Sequence, residues 1–284
     1  MNSTLGESDP VADRKEQVVD RLIIYYLKGH LCHESGLVQN YLGNWQEDDF
    51  SFLFFNCPEN EQIDRLLRDQ PHLEFIDQYD MTYAEWQGGP LQKQTIGPFD
   101  ILPVWERDSA DIRENTLILD PGVVFGNGGH PTTRNCLEAL ALAVKQAPVV
   151  TAQDMGTGTG LLSIAAWKLG VKQVLSVDFN RLAVKTANRN IHLNGADKHI
   201  LAVQGKAEDL MDIPADLLIA NIHFDVMRHI VTASGFLRKK QFILSGLLRS
   251  EAMQIENMVK HLPIEFLNHW EQDHIWHTYW GKIG

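Results

Sequence analysis

Three glycines at alternate positions, Gly156, Gly158 and Gly160, stand in the stretch Gln153-Asp154-Met155-Gly156-Thr157-Gly158-Thr159-Gly160. An apolar run, Pro148 to Thr151, precedes them, and a segment with helical apolar spacing, Leu161 to Leu169, follows. Glycine lets the chain turn sharply from strand to helix and lets a ligand lie against bare main chain. The first turn of the helix that follows offers unpaired N–H groups to a carboxylate or phosphate. Asp178, 22 residues after Gly156, closes a second apolar strand, Gln173 to Val177. A carboxylate at that place can accept from both hydroxyls of a ribose. A glycine-rich turn by itself is often only a loop; its place between strand and helix, with the acid at this distance, points to a nucleotide-like ligand.

A further apolar strand, Asp216 to Ala220, ends in Asn221-Ile222-His223-Phe224. Ligands of open α/β sheets lie beyond the carboxyl ends of the strands, so this tetrapeptide is expected to emerge beside the glycine turn. An Asn side-chain carbonyl, with nearby backbone oxygens, can accept the N–H bonds of a substrate and aim its nitrogen lone pair. The pattern N-x-x-F is similar to the N-P-P-Y type motif of enzymes that methylate amide or amino nitrogen. The spacing G-x-G-x-G with Asp154 ahead of it also suits S-adenosylmethionine better than a dinucleotide. Methyl transfer from a sulfonium is an in-line displacement that needs no metal and no covalent intermediate. Asn221 is accordingly read as the catalytic residue, and Asp154, Gly156, Gly158, Gly160 and Asp178 as cofactor-binding. The bland alternative for Asn221 is a turn residue that satisfies its own backbone.

The elements needed to position these groups follow from periodicity. After the glycine turn, helices Leu161–Leu169 and Leu182–Leu193 alternate with strands Gln173–Val177 and Ile200–Gln204. A short acidic turn at Glu208-Asp209 leads to strand Asp216–Ala220, a helix from about Val226, strand Gln241–Leu244 and helix Ser250–His261. Such alternation builds a parallel sheet with helices on both faces. The tail differs: Pro263 to Trp270 and His274 to Trp280 read as two strands with no helix between them. A terminal antiparallel hairpin on a parallel sheet is the seven-stranded, Rossmann-like arrangement of class I methyltransferases rather than that of dehydrogenases. Ahead of the glycine turn, Pro121 to Thr133 holds four glycines and two prolines and ends in Thr132 and Thr133 at the head of an apolar helix, Cys136 to Val144. Threonine there is most often a cap.

The front of the chain reads as a smaller α+β module. Glu16 to Lys28 spaces its apolar residues as one helical face. Phe50 to Phe55 reads as a strand, Glu59 to Asp69 as a helix and Leu73 to Gln78 as another strand. Gly88-Gly89-Pro90 marks a loop, and Phe99 to Trp105 resumes as an extended segment. The expected organisation is an N-terminal α+β domain over 1–98, to which the family resemblance given below assigns substrate recognition, and a methyltransferase domain over 99–284. The Gly-Pro stretch before Phe99 would serve as a hinge between them.

Composition limits the partners. Of 284 residues, 44% are hydrophobic and 22% charged, as in a globular chain with an ample core. No apolar run is long enough to span a bilayer. Three cysteines, odd in number and far apart, read as reduced thiols of a cytoplasmic protein. Residues 1–98 carry 17 acids against 7 Lys and Arg, a net of −10, out of −12 for the whole chain. That front end repels phosphates and attracts a basic protein, which makes duplex nucleic acid an unattractive partner. Neither His30, Cys32, His33 and Glu34 nor His269, His274 and His277 have a recognised metal-ligand spacing, so no metal is expected.

Leu119-Asp120-Pro121-Gly122-Val123-Val124-Phe125-Gly126-Asn127-Gly128-Gly129-His130-Pro131-Thr132-Thr133 resembles a loop of the form LDPGxAFGTGxHPTT, the hallmark of the PrmA family. Members of that family methylate amino groups of a large-subunit ribosomal protein. Similar too are the glycine turn, Val177-Asp178, Asn190 with Asn194-Gly195, Ala220-Asn221-Ile222 and Leu244-Ser245-Gly246. The likeness covers most of 99–284; in the front module it reaches chiefly Trp86 and Ile101 to Trp105. The resemblance implies contacts to S-adenosylmethionine from Thr133, Gly156, Asp178 and Asn221, with Phe125 and its loop covering the ligand and Glu208 near the adenine. It also implies a basic protein, a ribosomal one, as methyl acceptor. Asn127 and Gly129 stand where the family has loop threonines, Thr157 where it has Cys, and His223-Phe224-Asp225 where it has small and Gly-Pro residues. The last departure adjoins the acceptor and leaves open another protein, a small amine or a nucleobase as substrate. The lost threonines leave open a binding protein without turnover.

Overall fold

The computed structural model describes residues 21–284. The polar start of the chain and the first residues of the helix expected over Glu16 to Lys28 lie outside them. The remainder of that helix is a strand, β1 (Arg21–Lys28). Leu22, Ile23, Ile24, Tyr25 and Leu27 are all buried, which uses both faces of the strand. A central strand covered on both sides needs a near-continuous apolar run, and such a run also satisfies helical spacing. The β-branched and aromatic residues decide for the strand.

β1 lies in a four-stranded antiparallel sheet with β2 (Tyr41–Glu47), β3 (Phe50–Phe55) and β4 (Glu74–Thr82), in the order β2-β3-β1-β4. α1 (Asn60–Asp69) covers one face, packing Ile63 and Leu66 on Ile23, Tyr25, Leu53 and Phe55. On the other face Leu22, Ile24 and Phe54 meet Val123, Val124, Leu182 and Ala183 of the rest of the chain. A short helix, α2 (Tyr83–Gln87), follows β4, closed at its start by a Thr82–Glu85 capping box. β2 and α2 had no clear periodic signal; each is too short and too polar to show one.

A three-stranded sheet joins this module to the remainder. β5 (Gln94–Ile96) forms a hairpin with β6 (Phe99–Pro103), and β6 pairs in parallel with β7 (Thr116–Leu119). A 3-10 segment, Val104–Ser109, occupies what the sequence suggests is the end of an extended run.

The large sheet has seven strands in the order β10-β9-β8-β11-β12-β14-β13. In chain order these are β8 (Thr151–Met155), β9 (Gln173–Asp178), β10 (Ile200–Gln204), β11 (Leu217–Asn221), β12 (Gln241–Leu248), β13 (Ile264–Gln272) and β14 (Trp276–Ile283). Strands β8 to β12 are parallel, while β14 is antiparallel to both its neighbours, so the terminal hairpin is where the sequence puts it. Helices α3 (Pro131–Gln146), α4 (Leu161–Lys168) and α5 (Arg181–Leu193) pack on one face. α6 (Phe224–Thr232) and α7 (Arg249–Val259) pack on the other. Along β11 the residues alternate between these layers, Leu217 and Ile219 to one core and Leu218 and Ala220 to the other. Among the described residues no helix is long and apolar enough to cross a membrane.

Candidate functional site

The strand order reverses between β8 and β11, which are neighbours in the sheet although far apart in sequence. A crevice opens at such a switch point, beyond the carboxyl ends of the strands. β8 delivers the glycine turn there and β11 delivers Asn221. Register brings them level: Ala220 pairs with Met155, so Asn221 stands beside Gly156.

All three glycines of the turn have left-handed φ, +75° at Gly156, +55° at Gly158 and +83° at Gly160. Each also lies against a neighbour. A Cβ on Gly156 would come within 2.8 Å of Ile222 Cδ1, and one on Gly158 within 2.7 Å of the Phe125 carbonyl oxygen. One on Gly160 would meet Ala187 of α5 at 3.2 Å. The turn is thus a bare main-chain cradle that side chains would fill.

Asp154 lies beneath this cradle and is 1% exposed. Its Oδ2 accepts from Thr157 Oγ1 and from Ser163 Oγ, each at 2.6 Å, which ties the turn to the strand below. Its Oδ1 has no partner among the described residues. Burial raises its pKa, against the pull of the Ser163 and Thr157 hydroxyls. Thr157, where the family has Cys, supplies one of those hydroxyls.

Asp178 ends β9 in the same crevice. Its Oδ2 accepts from the Gly158 N–H at 3.0 Å and its Oδ1 from the Asn180 N–H at 2.9 Å. Burial raises its pKa as well, with the two backbone N–H groups opposing. Beside it Phe179 is 62% exposed. A cavity of about 170 Å³ opens there, lined by Phe179, Asn180, Arg181 and Gln204, with Asn44 and Gln46 of the front module opposite. Glu208 stands one strand further out, half-buried in a 3-10 turn (Glu208–Leu210) beyond the carboxyl end of β10, where Gln204 pairs with Asp178.

The loop between β7 and α3 reaches the crevice from above. His130 caps α3, its Nδ1 accepting from the Thr132 N–H at 3.3 Å, and Pro131 takes the first helical position. The threonines are therefore not the caps. Thr132 bonds to the His130 ring, Oγ1 to Nδ1, at 2.7 Å. Thr133 is left to receive Asn221 Nδ2 at 3.5 Å. Asn221 Nδ2 faces Thr133, and Oδ1 lies on the side of Gly246. The Phe125 ring lies on Trp86 and Trp45 of the front module, with centroids 5.4 and 6.2 Å away, and is 58% exposed. Its backbone, not its ring, covers the glycine turn.

Three further groups assemble the site. Asn190, fully buried in α5, donates to the Thr159 carbonyl and accepts from the Asp120 N–H, both at 2.8 Å, so it pins the glycine turn to the loop. A polar residue on the apolar face of α5, between Ala187 and Ile191, was the available signal. Ile222 wedges its side chain against Gly156 and its backbone against Gly246. A Cβ on Gly246 (φ +84°) would stand 3.0 Å from the Ile222 carbonyl oxygen and 3.1 Å from Asn221 Oδ1.

The histidine groups play other parts. His269 Nε2 and His277 Nδ1 lie 2.8 Å apart, His274 bonds to Glu271, and the His72 ring bonds to the His30 carbonyl. Among the described residues no three metal-ligating side chains come together.

The family model described as ribosomal protein L11 methyltransferase (PrmA) matches residues 66–282. A ribosomal protein L11 methyltransferase of Shouchella clausii is 39% identical over 179 residues, 62% of this chain and 56% of that protein. One from Desulfitobacterium hafniense is 30% identical over 270 residues, 85% of this chain and 86% of that protein. The chain spans about half the length of the first of these curated relatives, 56% and 51%. Among solved structures, the ribosomal protein L11 methylase of Lactobacillus delbrueckii subsp. bulgaricus superposes with a TM-score of 0.55 at 27% identity, covering 68% of this chain and all of that one. With the seven-stranded sheet, the glycine cradle and three quarters of its length matched by one family model, the chain belongs to the PrmA family of ribosomal protein L11 methyltransferases.

Proposed function

We propose that the chain is an S-adenosylmethionine-dependent N-methyltransferase acting in the cytoplasm on lysine or N-terminal amines of a ribosomal protein of the L11 type. The observation that carries this reading is the contact of a nucleotide cradle with an amine-accepting loop in one crevice: Ile222 against Gly156, and Asn221 held by Thr133.

The cradle fits the cofactor's adenosyl and amino-acid parts. Gly156, Gly158 and Gly160 leave main chain bare, and Asp178 offers a carboxylate to ribose hydroxyls. Asp154 serves from below by holding the turn, and Glu208 lies on the side of the base. S-adenosylmethionine, when bound, supplies an electrophilic methyl group on a sulfonium.

What the protein adds is position. Asn221 Oδ1, beside Gly246, accepts from the substrate amine and directs its lone pair. Holding two reacting atoms about 3–3.5 Å apart and in line is worth up to roughly 7–11 kcal/mol. A lysine amine, with a reference pKa of about 10.4, must also reach the site neutral. Desolvation between Asn221, Ile222 and the loop lowers that pKa, so no dedicated base is assigned. The front module, proposed to end near residue 98, carries the acidic surplus that draws in a basic protein.

The test is a mass spectrum of a basic ribosomal protein incubated with this chain and the methyl donor, which should show gains of whole methyl groups. Asn221→Ala should lower kcat by on the order of 10²-fold and weaken cofactor binding by a smaller factor. No methyl gain on ribosomal proteins, with gain on tRNA or small amines, would move the substrate and keep the chemistry.

A further inference from the structure

The loop that covers the glycine turn is gripped from its other side by α2. Tyr83 donates its hydroxyl to the Gly122 carbonyl at 2.5 Å, and Gln87 Nε2 donates to the same oxygen at 2.9 Å. Trp86 Nε1 donates to the Val123 carbonyl at 2.9 Å. Asn127 returns the grip: its Nδ2 donates to Gln87 Oε1 at 3.0 Å and to the Gln87 carbonyl at 3.2 Å. Its Oδ1 accepts from the Gly129 N–H at 2.8 Å, which shapes the loop's own turn. On the opposite side Thr159 Oγ1 donates to the Gly126 carbonyl at 2.7 Å, and the Phe125 carbonyl lies over Gly158. Residues 122–127 are therefore sandwiched between a helix of the front module and the cradle.

We propose that Trp86, Gln87 and Asn127 are positioning residues for cofactor binding, a clasp through which docking of the front module and occupancy of the cradle are linked. The proposal rests on the cofactor reading above. Loop carbonyls have little to hold them except these donors, because a glycine-rich stretch has few side chains of its own and loses much entropy on ordering. Asn127 gives a reason for one departure from the family pattern. A threonine hydroxyl has one hydrogen to donate, whereas the amide serves Gln87 and Gly129 with separate atoms. Linkage then works both ways: a ligand that orders the loop tightens the module's docking, and a protein that pulls α2 away weakens the cofactor's hold by the same factor.

Calorimetry of S-adenosylhomocysteine on the full chain tests this, with Gln87→Ala, Asn127→Ala and the double variant. Each single change should weaken binding by about three- to tenfold. The double should lose less than the product of the two singles, because both remove the shared Asn127 Nδ2–Gln87 Oε1 contact. Hydrogen exchange of residues 122–129, measured without ligand, should quicken in each variant while exchange in β8 and β9 stays slow. Unchanged affinities, or losses that multiply in the double, would overturn the clasp and leave the methyltransferase reading standing. A wild-type chain that binds no cofactor would overturn both, and the ligand-free exchange would then report on the hydrogen bonds alone. Asn127→Thr should fall between wild type and Asn127→Ala.

Discussion

Asp178 shows how much a single side chain can decide. Burial raises its pKa, with the N–H groups of Asn180 and Gly158 opposing the rise. Ribose hydroxyls donate to its ionised form, so cofactor affinity should be full at neutral pH and decline as pH falls through that raised value. Asp178→Asn should weaken binding by about ten- to a hundredfold, as for loss of charged hydrogen bonds, and should remove the acid-side decline. Calorimetry from neutral to mildly acid pH measures both. Gly246 is the opposite case, a residue whose importance is the absence of a side chain. Its left-handed φ would cost any other residue about 1–2 kcal/mol. A methyl there would also press on the Ile222 carbonyl and on Asn221 Oδ1. Gly246→Ala should therefore depress kcat more than cofactor affinity, which steady-state kinetics beside calorimetry would show. Asp178 was legible from its spacing to the turn. Gly246 was visible only as part of a motif, because its role depends on a contact with another strand.

At the level of elements, β1 and the terminal hairpin bracket what periodicity can tell. In β1 a run buried on both faces satisfies the helical template by accident, and the neighbours β3 and β4 decide the matter. In the hairpin the alternation was readable, yet the pairing of exposed His269 with buried His277 was not. The His269 ring stacks on both His277 and Tyr279, and Glu271, Glu256 and Arg249 lie near His277. Burial, and then the His269 charge, lower its pKa. The unfolded chain thus takes up this proton first as pH falls. The contribution to stability should be whole above about pH 6.5 and should be lost as pH drops through the folded value. Denaturant unfolding across about pH 5 to 7.5 should show that decline, and His277→Gln should flatten it.

Across the whole molecule, the four-stranded sheet shares an apolar seam with α5 and the loop over the glycine turn. Leu182 of α5 presses on β2 where a Cβ on Gly43 would come within 2.5 Å of its Cδ1, and Leu22, Ile24 and Phe54 close over Val123 and Val124. A front module swinging on the stretch before Phe99 would expose this seam, so motion carries a hydrophobic cost of roughly 25 cal/mol per Å² uncovered. Leu182→Ala should destabilise the chain by about 2–5 kcal/mol. It should also broaden the module's range of positions, read as a larger radius of gyration by scattering.

The sequence by itself determined the alternation of strands and helices, the glycine cradle, the acid at the end of β9 and the closing hairpin. Each is a pattern of near neighbours, and near neighbours are held by backbone geometry and local periodicity. Only the tertiary structure decided which faces meet. Asn190 reaches Asp120 across 70 residues and Asn221 reaches Thr133 across 88. The grip of α2 on the loop spans 35 to 40 residues. Such pairs leave no period in the chain, because they depend on strand order and register, and these are set by the packing of the whole core.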